Sequence, residues 1–228
     1  GLSDFADALN IERYDSEDLS LLSVDATMSV PSVPEDAAVV IVAGAEQPLA
    51  NHEEDALLTF LGQGGGIMIA IDPGQPVPSL VGRLGLTVPS GAVMDTKVVY
   101  PFWDRPIPVL SRHPINQGLD DGGLKPVLAH VAPIGITGAL PQGVDVEPVL
   151  VTSRRGWTER GGDLVQGAPQ YDAGIDGEGP VTMAAAAQLR PGTEWVRSGR
   201  TPARVVVVGD SDFLGNGLLL EGPGNSTF

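Results

Sequence analysis

Ala37-Ala38-Val39-Val40-Ile41-Val42-Ala43-Gly44 is a continuous apolar run closed by glycine, the form taken by a strand buried on both faces of a parallel sheet. A helix should follow, and the next residues supply one. Asn51 can cap it, Glu53, Glu54 and Asp55 suit its positive N-terminal end, and Leu57, Leu58, Phe60 and Leu61 make a buried stripe. Gly62 to Gly66 stop that helix through a tight turn that needs positive φ. Ile67-Met68-Ile69-Ala70-Ile71 then reads as a second strand ending at Asp72-Pro73, which completes a β-α-β unit of right-handed crossover.

Outward from this unit, Leu2, Phe5, Ala6 and Leu9 stand at helical spacing behind Ser3, an N-cap candidate, and Leu19 to Val24 read as a short strand closed by Pro31 and Pro34. On the other side, Ser79 to Leu84 reads as a helix ended by Gly85, and Leu86 to Val93 as a strand. Val127 to Val131, Pro148 to Thr152 and Val181 to Leu189 follow as further strands between Gly-rich and charged turns. Arg204-Val205-Val206-Val207-Val208-Gly209 is the last strand and runs into Asp210-Ser211-Asp212-Phe213, with Leu214 and Leu218 to Leu220 starting a helix. The expectation is one α/β domain over 1–228, its sheet mainly parallel and flanked by helices. Residues 37–43, 67–71 and 204–208 should lie adjacent or near-adjacent at its centre. Residues 95–180 form a loop-rich segment that reads as a subdomain or insertion.

Composition removes several function classes. Thirteen Lys and Arg stand against 29 Asp and Glu, a net charge of −16, so the chain has no electrostatic footprint for nucleic acid or an anionic membrane. Absence of cysteine removes disulfides, thiolate zinc sites and every cysteine nucleophile. Thirty Gly and twenty Pro in a chain that is 42% hydrophobic point to many short elements and ordered loops. No apolar run approaches the roughly 20 residues of a membrane helix. Opening at Gly1-Leu2-Ser3-Asp4 without a basic, cleavable leader, the chain reads as a piece of a longer protein.

The chemical motifs resolve mostly into structure. Gly62 to Gly66 runs from helix into strand without a following Lys, the reverse of a phosphate-binding loop. His52-Glu53-Glu54-Asp55-Ala56 has Ala where a zincin helix needs its second histidine, and His113 and His130 stand far apart in sequence. Asp210-Ser211-Asp212 resembles the aspartate pair of haloacid-dehalogenase-type phosphatases, but Phe213 is bulky where that motif has Thr or Val, and little chain remains for downstream partners. Phe213 also occupies the last glycine position of a Gly-x-Ser-x-Gly elbow, leaving Ser211 a weak nucleophile candidate. Asn225-Ser226-Thr227 matches a glycosylation sequon by coincidence.

Several segments, in order and spacing, carry a resemblance to a family. They are Val33-Pro34-Glu35-Asp36 leading into Val39 to Gly44, Glu54 to Pro73, His113-Pro114-Ile115, Pro148 to Glu159 with Ser153 and Trp157, Gly179-Pro180-Val181, and Arg204 to Asn216. In these the chain resembles the extracytoplasmic region of the gliding-motility-type ABC-transporter auxiliary components. The resemblance implies a glutamine-amidotransferase-like α/β domain of flavodoxin-like architecture without a known reaction. It also implies ABC-transporter membrane and ATPase subunits as partners. The implied location is the periplasmic side of a bacterial cytoplasmic membrane, where helices outside these 228 residues would hold the domain.

The resulting expectation is a non-enzymatic accessory domain with no catalytic residue, no metal and no cofactor. Its rival is a carbohydrate or cell-envelope ligand-binding or hydrolytic domain. The rival rests on position: Gly44, Asp72 and Asp210 each follow a parallel strand, which puts them on the carboxyl edge where open α/β sheets bind ligands. Asp72, Asp210, Ser211 and Asp212 are therefore the candidate ligand-binding residues, and capping of the last helix by Asp210 or Asp212 is the competing role.

Overall fold

The computed structural model describes residues 1–21, 32–161, 169–219 and 221–228. The chain begins with α1 (Ser3–Ile11) and reaches β1 (Val39–Ala43), α2 (Asn51–Gly62) and β2 (Gly66–Ala70), the β-α-β unit read from residues 37–73. β1 and β2 pair in parallel from Val39 opposite Gly66 to Ala43 opposite Ala70. Asn51 is the first residue of α2 rather than its cap, and the exposed donor Ala50 N–H is instead accepted by the Glu53 carboxylate at 2.7 Å. α2 buries Ala56, Leu57, Phe60 and Leu61. Its end uses glycine as expected: Gly64 has φ +93, and a Cβ on Gly65 would come within 2.4 Å of the Phe60 ring. Ser3, too, lies inside its helix; Leu2 holds the cap position, and the Ser3 hydroxyl accepts from Asn216 Nδ2 at 2.7 Å.

Beyond β2 the order is α3 (Ser79–Arg83), β3 (Leu86–Thr87), β4 (Ala92–Met94), β5 (Val109–Leu110), α4 (Gln117–Gly122), β6 (Gly135–Ile136), β7 (Val144–Val151), β8 (Trp157–Glu159), β9 (Gly177–Glu178), β10 (Thr182–Leu189), β11 (Ala203–Val208), α5 (Asn216–Leu219) and α6 (Pro223–Thr227). Among the described residues six strands form the main sheet, in the order β1-β2-β11-β10-β7-β5. β1, β2 and β11 are parallel, whereas β11–β10, β10–β7 and β7–β5 are antiparallel. The fold is α/β, but the sheet is mixed rather than mainly parallel. β10 returns to β11 through residues 190–202 with no crossover helix, and a strand joined that way to its neighbour must run against it. The three apolar runs are adjacent, as expected, yet β1 is the last strand on its side among the described residues and Val39 is 56% exposed.

β3 pairs with β6, and β4, β8 and β9 make a small antiparallel sheet. Leu86 to Val93 is thus not one strand: Pro89 removes a donor, and Gly91 turns at φ +116 where a Cβ would stand 2.5 Å from Glu159 O. Val127 to Val131 is not a strand either. It lies between Pro126 and Pro133, His130 has φ +55, and its backbone bonds are scattered among Asn225, Asp210, Asp104 and Val93 rather than laid along one neighbouring strand. Of the Leu19–Val24 strand expectation, residues 19–21 are irregular and the remainder lies outside the described residues.

The main sheet is covered on both faces. One core joins Leu57, Phe60 and Leu61 of α2 and Leu80 and Val81 of α3 to Ile67, Ile69, Val205, Val207 and Ala185. The other packs Phe213, Leu214, Leu128 and Val131 against Ala70, Val208, Met183 and Val149. Val206, in a run expected at the centre of the sheet, is half-buried together with its register neighbours Met68 and Ile41. These three lie on the second face, where the parallel half meets α1, a helix with no buried residue.

Candidate functional site at the carboxyl edge

Because β1, β2 and β11 are parallel and in register at Ala43, Ala70 and Val208, the residues that follow them gather at one edge. There the Ser211 N–H donates to Asp72 Oδ1 and the Ser211 hydroxyl to Asp72 Oδ2, both at 2.6 Å. Gln75 closes the group: its Nε2 donates to Asp72 Oδ2 at 2.8 Å and its Oε1 accepts from Asp72 N at 3.1 Å. Asp72 therefore receives three donors, all from the protein. Gly44, at φ +58, lies so close that a Cβ would stand 2.8 Å from Ser211 Oγ. A side chain at residue 44 would occupy the hydroxyl's place.

Asp210 is sealed beneath this group, at 0% exposure. Its Oδ2 accepts from Ala129 N at 2.8 Å and its Oδ1 from Asp212 N at 2.7 Å. Burial raises its pKa to about 7, because desolvation disfavours the charge; the two backbone N–H bonds pull it down, and the carboxylates of Asp72 and Asp212 push it further up. The capping of the last helix expected of Asp210 or Asp212 does not occur: the chain first makes the 3-10 turn Asp212–Leu214, whose N-cap position is held by Ser211 without a side-chain capping bond, and the Asp210 carboxylate instead accepts the N–H two residues on. Asp212 is exposed.

The four candidates are thus brought to one edge but into different environments. Asp72 and Ser211 are bonded to each other, Asp210 is enclosed, and Asp212 faces outward. Among the described residues no group of three His, Cys, Asp or Glu is arranged to hold a metal ion. Of the histidines, His113 Nδ1 accepts from Ile115 N at 3.2 Å to begin a 3-10 turn, and His130 Nδ1 stands 3.8 Å from Asp104.

Gln75 and the Ala129 N–H were not foreseen. Gln75 had a local signal, a Pro-Gly turn after the strand-ending aspartate; Ala129, 81 residues from Asp210 in sequence, had none. The second small sheet also holds an arrangement that sequence reasoning missed. Asp95, 3% exposed, accepts the N–H and the hydroxyl of Ser153, each at 2.6 Å, and Lys97 N at 3.1 Å. The same Ser-to-Asp clamp therefore occurs at two loops, and in both it fastens the end of one strand to the chain beyond another.

No family model and no curated protein matches the sequence. Solved structures do share the fold: this chain is similar to the mmIFT52 N-terminal domain, with a TM-score of 0.54 and 15% sequence identity over 83% of this chain and 72% of that one. At that identity the likeness is one of fold.

Proposed function

We propose that the chain is a non-enzymatic accessory domain of an ABC-type export or gliding-motility complex. It would stand on the extracytoplasmic, periplasmic side of a bacterial cytoplasmic membrane, with the transporter's membrane and ATPase subunits as partners. We place its fold with the glutamine-amidotransferase-like, flavodoxin-like domains. Two features support that placement: the parallel β1-β2-β11 half with α2 as crossover, and helices on both faces. Partners and location rest on the sequence resemblance.

One observation favours a scaffold over an enzyme: the carboxyl edge spends its reactive groups on itself. The Ser211 hydroxyl proton is committed to Asp72, the carboxylate oxygens of Asp72 are engaged by Ser211 and Gln75, and Asp210 is out of contact with solvent. A nucleophile needs open space in which to attack as well as a base to take its proton; Asp72 stands where such a base would, but Gly44 backs directly onto Ser211 Oγ. The cysteine of an amidotransferase triad has no counterpart in the chain.

Pull-down of the full-length protein from its native host tests the reading, with the ABC membrane and ATPase subunits as the expected captures. Screening the purified domain against generic ester, phosphate and glycoside substrates tests the enzyme question. Turnover that disappears in Ser211→Ala or Asp212→Asn would replace the accessory reading with the hydrolytic one.

A further inference from the structure

Residues 97–107 form a hairpin. Ile107 N–H donates to Lys97 O and Val99 N–H to Arg105 O, both at 2.9 Å, and Phe102 N–H closes the turn onto Val99 O at 2.8 Å. The root is fastened to the body: Pro106 and Pro108 are buried, His130 N–H donates to Asp104 O at 2.9 Å, and Arg105 pairs with Glu221 at 2.5 Å. The Arg105 guanidinium also lies 4.1 Å from the Phe102 ring centroid. The tip has the opposite character. Tyr100 is 82%, Phe102 45% and Trp103 43% exposed, with Pro101 exposed between them.

We propose that this tip is a membrane-contact element, entering the boundary between headgroups and acyl chains of a lipid bilayer. Tyr and Trp carry an apolar body and a polar handle and concentrate at that boundary. Residues 97–107 carry Lys97 and Arg105 against Asp104, a net charge of +1 in a protein of net charge −16. The hairpin is thus a stretch of an acidic surface that an interface does not repel. Area argues against the tip alone forming a protein interface. With aromatic side chains of roughly 150–250 Å² each, the exposed fractions amount to about 350 Å², below the roughly 800 Å² per partner of a stable protein interface. A bilayer requires no complementary surface. Backbone and Arg105 contacts hold the turn in shape beforehand, so little ordering is needed on insertion.

This inference goes beyond the accessory role and is tested separately from it, on the purified chain with vesicles rather than by capture of subunits. Phosphatidylcholine vesicles, and vesicles of phosphatidylethanolamine with phosphatidylglycerol, serve as probes. Trp157 and Trp195 are buried, at 5% and 7% exposure, so a vesicle-induced blue shift in emission reports Trp103. The expected result is co-flotation with both vesicle types, little changed by high salt, together with that blue shift. Tyr100→Ser combined with Trp103→Ser, which touches only exposed side chains and should leave the melting temperature unchanged, should lower the bound fraction roughly tenfold. Three outcomes overturn the proposal: no flotation, flotation equal in the double variant, or binding confined to the anionic vesicles and abolished by salt. A blue shift produced by soluble oligosaccharides and not by vesicles would also overturn it and make the tip a sugar platform.

Discussion

Ser211 gives its backbone N–H and its hydroxyl to the two carboxylate oxygens of Asp72, across 139 residues of sequence. Ser153 repeats the arrangement on Asp95 across 58 residues. Ser→Ala at either position keeps the backbone bond and removes the hydroxyl, leaving one carboxylate oxygen with one donor fewer, Gln75 Nε2 remaining on Asp72 and Lys97 N on Asp95. Each variant should lose about 1–2 kcal/mol, read as a lower urea midpoint with an unchanged slope. A full loss in Ser153→Ala beside none in Ser211→Ala would mean that the Ser211 hydroxyl is not structural.

Gly44→Ala should cost more than an ordinary Gly→Ala change. Its φ of +58 disfavours a side chain, and the new Cβ would meet Ser211 Oγ at 2.8 Å. A destabilisation of about 1–3 kcal/mol is expected. In the double variant with Ser211→Ala the steric part is relieved, so the two losses should sum to more than the measured total. Strict additivity would show that the close approach carries no energy.

Asp210 gives a pH dependence of definite sign. Its pKa is raised to about 7 in the folded protein against roughly 3.9 in an unfolded chain. Between those values the folded state keeps a proton that the unfolded state has released. The group's contribution is therefore fully present below about pH 4, declines as pH rises to about 7, and is flat above that. Measured by urea unfolding, wild-type stability should fall relative to that of Asp210→Asn across this window, by up to about 1.4 kcal/mol per pH unit. Wild-type stability that rises with pH relative to that of Asp210→Asn would mean that the two backbone N–H bonds outweigh burial and the group ionises early.

The parallel half of the sheet was legible because β1, β2 and β11 are apolar runs without regular alternation, the pattern of parallel strands covered on both faces, even though β1 at the edge is only partly covered. Strand direction was not, since it is set by connections rather than by a strand's own residues. The available signal was the helix-free interval 190–202 between two strong strands, which marks β10 and β11 as an antiparallel pair. At the site, strand-end reasoning brought Asp72, Asp210 and Ser211 together. It could not show that Asp210 would be enclosed, because the loop that encloses it supplies Ala129 from a proline-bounded segment that reads as a strand.

The last test separates a self-satisfied edge from a cation site. A divalent ion such as Ca²⁺ takes six or more oxygen ligands, and the edge offers few. Asp210 is at 0% exposure with both oxygens on backbone N–H groups, and Asp72 already accepts three donors, leaving Asp212 as the carboxylate open to solvent. Millimolar Ca²⁺ or Mg²⁺ should leave the melting temperature of the wild type and of Asp212→Asn unchanged. Were the three carboxylates to bind an ion at a hundredfold excess over Kd, mass action would add roughly 2.7 kcal/mol. For a chain of this length that is a rise of about 5–10 °C. A rise of that size, growing with the logarithm of ion concentration and absent in Asp212→Asn, would mean that the hydrogen bonds around Asp72 and Asp210 rearrange to admit a ligand, and would restore the edge as a binding site.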